Sequence, residues 1–429
     1  MALLADINSP SDLKRLNQQQ LTQLAAEVRA FLVEHIAKTG GHLSPNLGVV
    51  ELTFALHRVF DSPKDAIVWD TGHQAYVHKM VTGRTADFAT LRQQGGLSGY
   101  PSRNESKHDV IENSHASTSL SYALGLAEAR LRRREPGFVI AVIGDGALTG
   151  GMAYEALNQI AHLQPPNLII VINDNGRSYA PTVGGLARHL SQLRVDPRYE
   201  SIKDEISRLL RDLPLVGATA DQAAYRVKEG LKQLLQPSTV FESLGIKYAG
   251  LVDGHDEAAL EQVLRRASRL TEPVVVHVVT EKGHGYGPAV EDEIDKLHGV
   301  SAFDPLTGRP LRTELTYTDV FGDALLAAAT THPDVCAVTA AMASSTVTTV
   351  PTPRAHSTMR GSTGLIHRAL TTPHDRPMVS SRSAASLAIS TMRPVAKMTA
   401  SLPLRTSSQR PTGSASAGRS GVEGTGPRG

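Results

Sequence analysis

Apolar positions along the first part of the chain recur at two periods. Leu21, Leu24, Ala25, Val28, Phe31, Leu32 and Ile36 fall three or four residues apart, which is one face of a helix. Gly40 and Gly41 provide the stop after it. A second helix is predicted over 49–60, after the turn residues Ser44, Pro45 and Asn46. Ala66-Ile67-Val68-Trp69 then reads as a short strand ending in Asp70-Thr71-Gly72-His73. Two further apolar runs, 138–143 and 168–172, are too short for helices and rich in β-branched residues. The stretch between them, 151–162, is helical in pattern. Together they predict a strand–helix–strand unit with parallel strands and a right-handed crossover. Another strand, 274–280, follows a helical stretch at 257–270. Such alternation argues an α/β fold with a largely parallel sheet flanked by helices. Between Gly185 and Gly245 the pattern is mostly helical, with Pro-containing breaks that leave its elements unplaced. No internal repeat is visible.

Composition changes this picture at one place. At 429 residues the chain can hold two or more domains and a large core. All nineteen of its aromatic residues lie before Ala343. From there the sequence turns to Ser, Thr, Pro, Arg, Ala and Gly, with eleven Lys or Arg against only Asp375 and Glu423. That stretch has too little apolar surface to offset the entropy of ordering it, and is expected to be disordered. The net charge of +2 gives no argument for a nucleic-acid partner. Cys336 is the only cysteine, so no intramolecular disulfide or thiolate cluster can form, which fits a reducing compartment. The start of the chain lacks the basic and apolar regions of a signal peptide, and no run of 18 apolar residues occurs. A cytoplasmic protein without membrane contact is the expectation.

The chemistry concentrates at the first crossover. Gly144-Asp145-Gly146-Ala147 follows the strand at 138–143, where a sharp turn into a helix presents N–H groups to an anion. A dinucleotide fingerprint is the rival reading, with Asp174 as the ribose-binding acid. Gly144, Gly146 and Gly150 do not give its spacing, however, and Asp145 would repel the very diphosphate it should cradle. A cation reverses that sign. The next strand ends in Asn173-Asp174-Asn175, so Asp145 and Asn175 are expected to project from adjacent strand ends. A carboxylate, an amide oxygen, a backbone carbonyl and phosphate oxygens suit the octahedral oxygen shell of Mg²⁺. The bland alternative is that Asn-Asp-Asn is merely a turn after a strand.

Gly-Asp-Gly followed about thirty residues later by an asparagine resembles the motif of thiamine-diphosphate enzymes. Within that group the wording resembles the 1-deoxy-D-xylulose-5-phosphate synthases, from about Asp12 to Met342. The matching segments include Gly40-Gly-His-Leu, Asp70-Thr-Gly-His-Gln-Ala-Tyr, Gly95-Gly-Leu-Ser-Gly-Tyr-Pro and Gly144-Asp-Gly-Ala-Leu-Thr-Gly-Gly-Met. Asn173-Asp-Asn-Gly-Arg-Ser-Tyr, Val252-Asp-Gly-His-Asp and Lys282-Gly-His-Gly-Tyr continue them. The resemblance implies a transketolase-like thiamine-diphosphate-binding fold and a homodimer. It also implies decarboxylative condensation of pyruvate with D-glyceraldehyde 3-phosphate, leading toward isoprenoids, thiamine and pyridoxal. Carried over by motif, Asp145, Asn175 and the carbonyl of Arg177 are the metal ligands. Gly146 and Ala147 offer N–H groups to the diphosphate. Ser114, His115 and Ala116 match a Gly-His-Ser cofactor contact, with both flanking residues different here. His73 and Tyr286 match further cofactor contacts, and His42 and His298 match catalytic histidines facing the substrate. Each histidine has an ordinary alternative as a surface or satisfied core residue, for the chain has 17.

The resemblance implies a diphosphate/Mg-binding domain over 1–312 and the start of a pyrimidine-binding domain over 313–342. Family members carry a catalytic Glu-Gln-His in that second domain, and none follows Met342 here. Residues 343–429 read as low-complexity sequence, either translated in a shifted frame of a GC-rich gene or a basic disordered arm. The remaining alternatives are a non-catalytic cofactor-binding or dimerising module, and one subunit of a split transketolase-type enzyme.

Overall fold

The computed structural model describes residues 3–195, 239–311, 315–332, 337–339 and 365–367. The tail from 343, apart from 365–367, lies outside them, as do 340–342 and most of the unplaced helical stretch after Gly185. Five parallel strands form one sheet: β1 (Ala66–Trp69), β2 (Val139–Gly144), β3 (Leu168–Asp174), β4 (Lys247–Asp253) and β5 (Val274–Val279). Their order is β1-β2-β3-β5-β4. The longer helices are α1 (Gln18–Thr39), α2 (Val50–Val59), α3 (Ser119–Arg133), α4 (Gly151–Leu163), α5 (Gly185–Val195), α6 (Glu257–Ala267) and α7 (Tyr317–Thr331).

Alternation along the strands builds two cores on opposite faces, as a doubly covered parallel sheet requires. Val139, Ala141, Ile143, Ile170 and Ile172 pack with Leu120 and Ala123 of α3 and with Leu157 and Ile160 of α4. Ile140, Val142, Ile169, Val171 and Val276 pack with Leu52 and Leu56 of α2 and with Leu260 and Leu264 of α6. A third cluster gathers the apolar stripe of α1 (Leu21, Leu24, Val28, Leu32 and Ile36) against Phe54, Tyr76 and Phe88. Each such side chain contributes roughly 1.5–3 kcal/mol on burial.

Helix α1 starts on a reciprocal cap, Asn17 and Gln20 each accepting the other's backbone N–H at 2.9 Å. It stops where the sequence predicts: Gly40 takes φ +70° and its N–H donates to the Ile36 carbonyl at 2.8 Å. Ser44, Pro45 and Asn46 form one turn of helix with Leu47 rather than an open turn. The stretch 317–342 yields α7 and the short strand Ala337–Thr339, which pairs antiparallel with Leu365–His367. Among the described residues no helix is long and apolar enough to cross a membrane.

Candidate functional site

The chemistry-bearing residues leave the carboxyl ends of the strands. Gly144 of β2 stands opposite Asn173 of β3, so Asp145 and Asn175 follow adjacent strand ends. After extended Gly144 the chain turns at once into the short helix Asp145–Leu148. Asp145 is buried, and its carboxylate accepts the hydroxyl of Thr182. Burial first, and then the charge of Asp174, push its pKa up to about 6, against the hydrogen bonds from Thr182 and the Asn175 N–H. A buried carboxylate facing a second one is a site where a cation would be stabilised.

The Asn-Asp-Asn segment is also a turn. Asn175 Oδ1 accepts the Arg177 N–H at 3.2 Å and Asp174 Oδ1 the Gly176 N–H at 3.1 Å. Asp174, the acid of the dinucleotide reading, is committed elsewhere. His277 Nε2 lies 2.9 Å from one of its oxygens and the Arg194 guanidinium 3.4 Å from the other. Beyond the turn, 176–182 doubles back as a hairpin, with the Thr182 N–H donating to the Gly176 carbonyl at 3.0 Å. A Cβ at Gly146 would stand 3.0 Å from the Ser178 Cβ, so residue 146 lies directly against this hairpin. The Arg177 guanidinium donates to the Ile294 carbonyl at 3.0 Å.

Ser114, His115 and Ala116 lie together in an exposed loop. The His115 N–H donates to Asn113 Oδ1 at 2.9 Å, and its ring Nδ1 lies 2.8 Å from the Ala116 carbonyl. Buried Asp70, at the end of β1, anchors the loop by accepting the N–H groups of Ser117 and Ser119 at 2.9 and 3.0 Å. The Ser117 hydroxyl donates to the Ala147 carbonyl at 2.6 Å, so the loop borders the turn after β2.

A second group forms beside it. The rings of His42, His73 and His298 lie within 5.1–5.8 Å of one another, centre to centre. Tyr179 stacks on His298 at 3.9 Å, and Lys282 Nζ lies 2.8 Å from His298 Nδ1. Burial, helped by nearby cations, holds His42 down at about 4 and His73 at about 3. Burial and Lys282 drive His298 far below its ordinary range. Burial lowers Lys282 itself to about 7. All three histidines are therefore neutral near pH 7. The Nδ1 atoms of His42 and His73 are buried without a hydrogen-bond partner among the described residues. Unpaired polar atoms are costly to bury, and a polar ligand would satisfy them.

Tyr286 is turned away from this group: its hydroxyl donates to the Pro305 carbonyl at 2.8 Å and its ring packs against Phe303. Sequence reasoning assigned no role to Asn46, Thr182, Tyr179 or Lys282. The last two stand inside quoted motifs, which was the available signal. Asn46 and Thr182 had none, because contacts across the fold give them their roles. Among the described residues no three His, Cys, Asp or Glu side chains converge as a metal cage. What meets the Asp145 carboxylate is the Thr182 hydroxyl and the Asn175 backbone N–H, while the Asn175 amide oxygen accepts from the Arg177 N–H.

A family model described as 1-deoxy-D-xylulose-5-phosphate synthase matches residues 4–280. The chain belongs to the 1-deoxy-D-xylulose-5-phosphate synthase family. The synthase of Frankia casuarinae is 57% identical over 344 residues, which is 80% of this chain and 52% of that one. That of Rhodococcus jostii is 56% identical over 347 residues, 81% and 54% of the two chains. The chain spans about half the length of the curated relatives it matches. Among solved structures, transketolases of Campylobacter jejuni (TM-score 0.47, 18% identical, 66% of this chain and 40% of that one) and Leishmania mexicana (0.46, 16%, 69% and 43%) are similar over part of the chain. Likenesses so remote carry nothing about chemistry.

Proposed function

We propose that this synthase-family chain forms the cation- and diphosphate-holding half of a thiamine-diphosphate active centre. Asp145, Asn175 and the Arg177 carbonyl would hold Mg²⁺, and the backbone N–H groups of Gly146 and Ala147 would serve the diphosphate, with His73 and the loop 114–116 as further contacts. Tyr286, its hydroxyl committed to the Pro305 carbonyl, is left out of this set. The observation that carries this reading is the buried, charge-opposed carboxylate of Asp145 at adjacent strand ends. Thiamine diphosphate, when bound, supplies the electron sink that lets pyruvate lose CO₂ and join D-glyceraldehyde 3-phosphate. The protein's part is orientation and proton handling. Neutral His42, half-buried, and neutral His298, buried, would donate hydrogen bonds to a substrate carbonyl or phosphate, or move a proton at a ring nitrogen. The proposed setting is a cytoplasmic homodimer making a precursor of isoprenoids, thiamine and pyridoxal.

The 429 residues contain no Glu-Gln-His, so on their own they are expected to bind without turnover. Calorimetry with Mg²⁺ and thiamine diphosphate tests the site. Asp145→Asn is expected to weaken binding by on the order of 100-fold, the upper range seen when groups behind a metal ligand are lost. Unchanged affinity in that variant overturns the reading. Turnover of pyruvate and D-glyceraldehyde 3-phosphate by the 429 residues at an ordinary enzyme rate overturns the half-site view. Turnover gained only on adding a separate chain with Glu-Gln-His would instead mark a split enzyme.

A further inference from the structure

The hairpin 176–182 touches both halves of the site. On one side, the Thr182 hydroxyl donates to Asp145, and Ser178 lies against Gly146. Arg177, whose carbonyl is proposed to meet the cation, begins the same hairpin. On the other side, the Tyr179 ring stacks on His298 with centres 3.9 Å apart and planes 22° from parallel. The Ser178 carbonyl accepts from Lys282 Nζ, which also lies 2.8 Å from His298 Nδ1. His298 is in turn stacked on His73 at 5.1 Å, so its ring is flanked by Tyr179 and His73.

We infer that Tyr179 is a positioning residue, and that the hairpin transmits occupancy of the cation site to His298. The inference rests on the reading of Asp145, Asn175 and Arg177 as the cation site. The lever is short. A cation drawing on the Arg177 carbonyl would orient the peptide between Arg177 and Ser178, and one residue beyond Ser178 stands the ring that lies on His298. Tyr179 acts through that ring and not through chemistry of its own. Its hydroxyl is dispensable in this role, whereas the flat face is required. A polar side chain on His298 alone would leave the ring free to tilt, while stacking fixes its plane.

The test uses the 429-residue protein labelled with ¹³C at histidine Cε1, the His298 signal being assigned by its loss in His298→Gln. Binding of Mg²⁺ with thiamine diphosphate is followed separately by calorimetry. In the wild type, addition of the two is expected to move the His298 resonance. Tyr179→Ala and Tyr179→Leu are expected to lose that response while affinity stays within about threefold. Tyr179→Phe is expected to keep it. The second aliphatic variant guards against simple collapse of the hairpin around a small side chain. Binding in the wild type with a motionless His298 signal overturns the inference and leaves the cofactor reading standing. A response that survives in Tyr179→Ala overturns it too, as does joint loss of response and affinity in both aliphatic variants. Absence of binding in the wild type sinks the cofactor reading, and the inference falls with it.

Discussion

Without a cation, Asp145 is a poorly placed charge. Burial and Asp174 raise its pKa to about 6, above the ordinary 3.8, so the folded chain holds this proton more tightly than the unfolded one. Stability from that group is present below pH 3.8 and declines as pH rises through 6. Above pH 6 the ionised carboxylate weighs against folding, by at most about 3 kcal/mol. Asp145→Asn removes the charge but keeps an oxygen for the Thr182 hydroxyl. Ligand-free Asp145→Asn is therefore expected to be more stable than wild type at pH 8, with the advantage vanishing near pH 4. Denaturant melts at the two pH values check this; equal loss of stability at both would show that Asp145 is structural. A residue kept at such a position despite its effect on folding is better explained by the ligand it serves than by the fold.

At the scale of elements, the site is held by contacts between pieces far apart in sequence. Buried Asn46, in the helical turn Ser44–Leu47, donates to the carbonyls of His42 and His73 at 2.7 and 2.9 Å and accepts the Tyr76 N–H at 2.8 Å. One amide thus sets the spacing of two histidine-bearing segments. Asn46→Ala leaves three backbone groups without partners, an expected loss of about 2–4 kcal/mol. Thiamine-diphosphate affinity should fall with it, and a melt combined with calorimetry decides. Wild-type affinity in a destabilised Asn46→Ala would mean that the histidine spacing is set elsewhere. The sequence shows Asn46 only as a turn residue, since nothing local marks its partners. Strands β1, β2, β3 and β5 were legible because burial on both faces makes them continuous apolar runs. Strand β4 was not: it is an edge strand, half-buried along most of its length, with Gly250 inside it and a register shift between Ala249 and Val252. Asp145 and Asn175 were readable because one crossover fixes both their spacing and their adjacency. The hairpin 176–182 was not, for its fold depends on Asp145, Lys282 and His298 together.

At the scale of the whole molecule, the apolar surface of α7 has to be accounted for. Phe321 and Leu326 are exposed, Leu325 is half-buried, and Tyr317 and Val320 add to the open face. The helix itself is well specified, with Thr316 and Asp319 capping its start reciprocally. A stable helix presenting Tyr, Val, Phe and Leu to water favours association with any apolar surface offered to it. The 429-residue protein is therefore expected to self-associate as its concentration rises, through α7. Phe321→Glu combined with Leu326→Glu should shift light scattering toward the smaller species while leaving the melting temperature of the sheet domain unchanged. If the double variant associates as the wild type does, α7 is not the contact, and a dimer must be built on another face. If it lowers the melting temperature as well, α7 is part of the core of the sheet domain and not an element awaiting a partner. The expected result, less association at equal stability, follows from the exposure of Tyr317, Val320, Phe321 and Leu326 on one helix.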